Sequence, residues 1–195
     1  MSMSTTLPVT LEQFEKLDLP EDRGWELHEG ELVEMTQPSY MHKLIQHRLF
    51  QLLTPMFKGR ADVMIEMPYC VKNRHDDYRS ADVGIVSTAR VPGIPQERIV
   101  NGAPEFVIEV LSPSNTVREI NKRKHVCAQN GGELFWVVDP DELEVTAIDL
   151  NNPRIERKYG CGASVPIQVL DVETELSVSA IFAGIVGRVE QTACP

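Results

Sequence analysis

Residues 103–115 read APEFVIEVLSPSN, and they set a tight condition on any fold this chain can adopt. Phe106, Val107, Ile108, Val110 and Leu111 are apolar and mostly strand formers, so the segment reads as a buried central strand. Glu109 lies inside it. Side chains alternate faces along a strand, which groups Glu109 with Val107 and Leu111, and Phe106 with Ile108 and Val110. A carboxylate buried without a partner is costly, and its pKa rises until it is neutral. Two environments relieve that cost. In one, Glu109 stands near the strand end and accepts hydrogen bonds from backbone or from an arginine. In the other it ligates a hard cation such as Mg²⁺, which takes one or two carboxylates and keeps several waters.

The surrounding segments say what kind of sheet holds this strand. VTLEQFEKL (residues 9–17) reads as a short helix with Thr10 and Gln13 as a capping box. GWELHEGELVEM (24–35) reads as a hairpin turning at Glu29-Gly30. SYMHKLIQHRLFQLLTPMF (39–57) is amphipathic, with Ile45, Leu49, Leu52 and Met56 at helical spacing, Ser39 as cap and Pro55 near its end. Residues 61–71 and 80–87 read as strands around the polar loop KNRHDDYR, in which Asp76 and Asp77 are expected to be solvated. A Pro- and Gly-containing loop follows (88–102). After the Glu109 strand, residues 117–130 form a helix closed by Gly131-Gly132. ELFWVVDP (133–140) is another buried strand, turning at residues 139–142 into LEVTAIDL. The tail LSVSAIFAGIV reads as a short strand or turn leading into a docking helix. Helices interrupt strands without strict alternation, so the expected class is α/β or α+β: a mixed central sheet flanked by helices.

With 195 residues and 42% hydrophobic content, the chain fits one domain over residues 1–195 better than two. Its apolar runs are too short for a bilayer, and its N-terminus has no signal-peptide pattern. Cys70, Cys127, Cys161 and Cys194 lack zinc-type spacing and read as reduced thiols of a cytoplasmic protein. A net charge of −10 argues against a generic nucleic-acid coat. An enzyme acting on nucleic acid remains open, because carboxylates that hold metal add negative charge and basic residues can be local. Lys and Arg concentrate in REINKRKH (118–125), which by itself reads as a solvated helix face.

Asp82 starts the apolar run DVGIV after a polar loop. An acid opening one strand and an acid late in a neighbouring strand, with a cation nearby, are the minimum for metal-assisted phosphodiester hydrolysis. The cation is expected from the next helix. At about 100° per residue, Val117, Ile120, Lys124, Cys127 and Ala128 share one face. Lys124 then lies near the centre of the inward face, with Arg123 at its edge. Snorkelling is the alternative for such a lysine.

WELHEGEL, PSYMH, YRSADVGIV, APEFVIEVLSPS and GGELFWVVDP occur in this order and spacing. Together they resemble the Uma-two family of endonucleases, part of the restriction-endonuclease-like superfamily named for its PD-(D/E)XK motif. The resemblance implies a four- to five-stranded mixed sheet flanked by helices and a Mg²⁺-dependent (or Mn²⁺-dependent) nuclease site acting on DNA. Asp82 matches the motif's Asp and Glu109 its (D/E), and both are metal ligands in that reading. The chain departs from the motif in three ways. Ala81 replaces the proline. Leu111 replaces the lysine two residues after Glu109. The lysine that migrates to the following helix stands four residues before an aromatic or Cys, and here that place holds Arg123. The alignment therefore points to Arg123 and the periodicity to Lys124; Lys124, with Arg123 beside it, is the expectation. Glu26 and His42 match further recurring positions and are expected to support the site, with His42 facing inward. The alternative is a catalytically impaired protein of the same fold that acts as a binding module, favoured by an arginine in the lysine's place and by the negative charge. A homodimer is plausible, with the ELFWVVDP strand and its hairpin supplying an edge.

Overall fold

A computed structural model describes residues 8–90 and 99–185 of the chain. Its helices are α1 (Leu11–Phe14), α2 (Tyr40–Leu53), α3 (Val117–Gln129) and α4 (Val178–Phe182). Its strands are β1 (Gly24–His28), β2 (Glu31–Met35), β3 (Ala61–Cys70), β4 (Tyr78–Ser87), β5 (Val100–Asn101) and β6 (Phe106–Val110). They continue with β7 (Leu134–Asp139), β8 (Glu144–Asp149), β9 (Glu156–Gly160), β10 (Ser164–Val169) and β11 (Val172–Ser177). The mixed central sheet with flanking helices is the architecture expected. Part of the loop at 88–102 and the last residue of the docking-helix segment lie outside the described residues.

The main sheet runs β2-β1-β4-β6-β7-β8-β9, with β3 lying along β4 and the short β5 beside β3. At nine strands it exceeds the four or five the resemblance implied. The β1–β2 hairpin extends one end and β9 the other. β6 and β7 are parallel, joined through α3; β4 pairs antiparallel with both β3 and β6. The strand β7 lies between β6 and β8, and β9 covers β8, so neither β7 nor β8 offers the dimer edge expected from the sequence.

Local sequence accounts for most boundaries. Thr10 and Gln13 form their capping box at α1, and Thr116 with Glu119 forms another at α3. Ser39 Oγ accepts the His42 N–H at 3.2 Å and starts α2. The β1–β2 turn places Glu29 and Gly30 at φ 54° and 84°, which a two-residue hairpin of right-handed strands requires.

The sheet separates two cores. On one face Ile45, Leu49, Leu53 and Phe57, from α2 and its continuation, pack on Val83, Ile85, Phe106, Ile108 and Trp136. The Phe106 and Trp136 rings meet edge to face with centroids 4.9 Å apart. The β10–β11 hairpin and α4 close this core. On the other face Cys127 of α3 packs with Tyr69, Val107 and Phe135. All five residues of β6 are buried, Glu109 included. Helices α2 and α3 thus lie on opposite sides of the strands that carry Asp82 and Glu109.

Cys70 and Cys127 are free thiols. Cys194 lies outside the described residues. Among the described residues no helix is long and apolar enough to cross a membrane.

Candidate active site

Strand β4 has a stretch of edge without a strand partner. On that side β6 pairs with Val83 to Ile85, and β1 touches only Tyr78, through Leu27. The intervening backbone is partly buried and needs hydrogen-bond partners. Side chains supply them. Ser80 N–H donates to Glu26 Oε1 at 3.0 Å, and Ser80 C=O accepts from Arg123 Nη1 at 2.9 Å. Across the gap, Val110 N–H donates to Asp82 Oδ2 at 2.7 Å. Pro68, which has no N–H, sits opposite Ser80 on the other side of β4, where it breaks no ladder bond.

The register brings the two expected acids together. Val83 pairs with Ile108, so the next step in this antiparallel pair sets Asp82 opposite Glu109. Directly opposed like charges repel. Asp82 Oδ1 is held from α2 by His42 Nε2 and Gln46 Nε2, each at 3.1 Å. Glu109 receives no such support. Its Oε1 is buried without a hydrogen-bond partner, and the nearest cation, Arg123 Nη1, is 3.7 Å away, beyond hydrogen-bond reach. Burial, reinforced by the Asp82 and Glu26 carboxylates and only partly countered by Arg123, pushes the Glu109 carboxyl up to about 8.

Glu26, on β1, is 1% exposed, and three residues contact its carboxylate: Ser80, Arg123 and His28. Arg123 Nη2 reaches both its oxygens at 2.9 Å, and His28 Nε2 lies 2.5 Å from Oε2. Burial alone would raise its pKa; His28, Arg123 and the Ser80 N–H together hold it below the usual carboxylate value. For Arg123, burial opposes the charge, but Glu109 and Glu26 override it and raise its pKa.

The inward residue of α3 is Arg123, and the expectation for Lys124 is corrected. The residues that α3 buries are Arg123 and Cys127, four apart, while Val117 is 80% exposed. Lys124, its side chain 15% exposed, reaches toward β9 and pairs with Glu156 at 2.5 Å, away from Glu109. Ile120, Cys127 and Ala128 pack inward as the period predicts, with only Val117 off that face; Arg123, at its edge, is the residue drawn to Glu26. Glu26 stands against Arg123, and His42 faces inward against Asp82. Asp77 is corrected too: at 3% exposure it is buried, with its carboxylate on Arg79 Nε at 2.8 Å, whereas Asp76 pairs with Arg74 nearer the surface. Gln46, 2% exposed, was missed. The available signal was its spacing: four residues after His42, it shares that residue's helix face.

Glu26, His42, Gln46, Asp82, Glu109 and Arg123 line an open cavity of about 570 Å³ beside the β1–β2 hairpin and the N-terminal part of α2. Among the described residues no group of three or more His, Cys, Asp or Glu side chains is arranged around a metal position. Mg²⁺ needs only one or two carboxylates, and a buried carboxylate oxygen without a partner opposite a second acid is a donor set that fits it.

Comparisons with known proteins bear on the family and the fold. A family model described as Uma2, putative restriction endonuclease, matches residues 11–189. This is the Uma-two family of the resemblance. A crystal structure of a putative nuclease belonging to DUF820 from Anabaena variabilis superposes with a TM-score of 0.76 at 24% identity. The match covers 92% of this chain and 100% of that one, and so shows the shared fold. No curated protein matches.

Proposed function

The chain belongs to the Uma2 family of putative restriction endonucleases, and from that premise we propose that it hydrolyses DNA phosphodiester bonds with Mg²⁺ or Mn²⁺. The observation that carries this reading is Glu109: a buried carboxylate whose Oε1 has no hydrogen-bond partner, on a cavity wall opposite Asp82. Asp82 and Glu109 would hold the metal. A metal bound there supplies Lewis-acid stabilisation of phosphate charge and a more acidic bound water.

The chain's own residues prepare that position. His42 and Gln46 fix Asp82 from α2, and the Val110 N–H holds its second oxygen. Arg123 brings a permanent positive charge to the same wall, suited to an anionic phosphate. Glu26 holds Arg123 in place, so its guanidinium direction is set before substrate arrives.

One observation favours a second reading, a binding module without turnover. The cation facing Glu109 is an arginine, which cannot exchange protons, and its Nη1 and Nη2 already donate to Ser80 and Glu26. Calorimetry with Mg²⁺ and Mn²⁺, followed by plasmid nicking, separates the two. The nuclease reading expects binding by the wild type, loss in Glu109→Gln, and nicking that needs the metal. Metal binding without nicking selects the binding module. No heat at millimolar metal sinks both metal-based statements.

A further inference from the structure

We propose that the cavity takes an unpaired nucleobase, stacked on Trp25, so that the preferred DNA carries a single-stranded or extruded nucleotide at the site. The inference rests on the nuclease reading for the identity of the ligand as DNA, and deepens it by naming the form of DNA.

The first argument is size. A hydrated Mg²⁺ and one phosphate need only the wall that carries Asp82 and Glu109. The cavity of about 570 Å³ extends well past that wall, to the open end of the β1–β2 hairpin, where Trp25 and Met35 lie. Volumes of this order are those of sites that enclose a small organic ligand. The hairpin touches β4 through the single pair Leu27↔Tyr78, so its Gly24–Met35 end projects past the contact and over the gap. Trp25 is half-buried there, with one ring edge anchored by its Nε1–H to the Pro20 carbonyl at 3.4 Å. An aromatic side chain thus lines the same pocket as the two acids, and an aromatic ring is the group on which an unpaired base stacks.

The second argument is charge. Proteins that grip duplex DNA do so largely through many Lys and Arg contacts to phosphates. Among the described residues this cavity offers Arg23, Lys43 and Arg123. Arg23 already pairs with Glu34 at 2.8 Å and Arg123 with Glu26 at 2.9 Å, in a chain of net charge −10. Inside the cavity, a backbone-tracking duplex contact is therefore poorly supplied. Aromatic stacking on an unpaired base needs no such supply and tolerates any base identity.

The molecule provides its own reporter. It has two tryptophans, and Trp136 is fully buried in the core, so quenching by a bound base reads Trp25. The experiment titrates the full chain, with Ca²⁺ replacing Mg²⁺, with a single-stranded oligonucleotide, a blunt duplex, and a duplex carrying one mismatch. The single strand is expected to quench the fluorescence and to bind at least tenfold tighter than the blunt duplex. Trp25→Phe is expected to retain that affinity within a few-fold while losing the quenching, and Trp25→Ala to weaken it about tenfold. A mismatched duplex that quenches like the single strand identifies an extruded base as a source; one that behaves like the blunt duplex restricts the site to single strands. Equal binding of single strand and blunt duplex, or an unchanged affinity in Trp25→Ala, overturns the proposal. Should Trp25→Ala fail to fold, the Trp25→Phe signal and the single-strand preference still decide it. If metal binds and plasmid is nicked while Trp25→Ala is indifferent, this inference fails and the nuclease reading stands. If single strands quench but metal calorimetry is blank, the reverse holds.

Discussion

Glu109 is where burial and charge conflict most sharply. Its folded pKa of about 8 lies above the ordinary carboxyl value, so between those two values the folded chain holds a proton that the unfolded chain has released. Stability of the metal-free protein is then fully present below the ordinary value and is lost as pH rises through about 8. Denaturant melts from pH 5 to 9 should show that decline in the wild type and a flatter profile in Glu109→Gln, with the variant the more stable at pH 9. A wild-type profile that is already flat would mean the carboxylate is solvated or paired in solution. Arg123 poses the opposite problem. Removing it leaves Glu26, 1% exposed, without its main cation. Arg123→Ala should cost about 3–5 kcal/mol in urea unfolding. Arg123→Lys should recover part of this, since it returns the charge without the two-pronged geometry. An Arg123→Ala variant within 1 kcal/mol of wild type, roughly the value of an exposed pair, would mean the Glu26 contact is not formed.

At the level of elements, the site depends on close contact between β3 and β4. A Cβ on Gly84 would meet Met67 Sδ at 2.5 Å and Met67 Cβ at 2.8 Å. Gly84→Ala should therefore cost about 1–3 kcal/mol by overpacking, read as a lower midpoint in urea with an unchanged slope. Thr116→Ala, which opens the capping box of α3, should cost about 1 kcal/mol. Element boundaries were largely legible beforehand because caps, turn residues and apolar period are local. β9 was not: ERKYG is almost wholly exposed and shows no alternation, and its place is fixed by pairing with β8. The buried Asp77–Arg79 pair was hidden for a related reason. KNRHDDYR has the composition of a solvated loop, yet the strand β4 begins at Tyr78 and draws both side chains under cover.

Across the whole molecule, a net charge of −10 and three cavity cations bound how strongly phosphates can be gripped. The logarithm of DNA affinity against the logarithm of salt should fall with a slope no steeper than about −3. Fluorescence or filter-binding titrations over a salt series measure it. A slope near −6 or beyond would reveal a basic surface remote from this cavity and would weaken the case for base stacking.

The pattern of apolar runs, caps and glycines determined by itself that this chain forms a mixed sheet with helices, and that Asp82 and Glu109 stand on strands of it. Those signals act over a few residues, within the range that periodicity and hydrogen-bond capping encode. Alignment and helix period pointed to different residues of α3, and the tertiary structure decided that Arg123 is the one near Glu109. Rotating a helix by one residue changes little in its local energy, so the choice between Arg123 and Lys124 fell to distant partners: Cys127 beneath Tyr69, and a carboxylate 97 residues earlier in the chain, Glu26. The pairing of His42 and Gln46 with Asp82, across 40 and 36 residues, was settled in the same way. A buried charge takes the orientation that satisfies it, and the satisfying group need not be near in sequence.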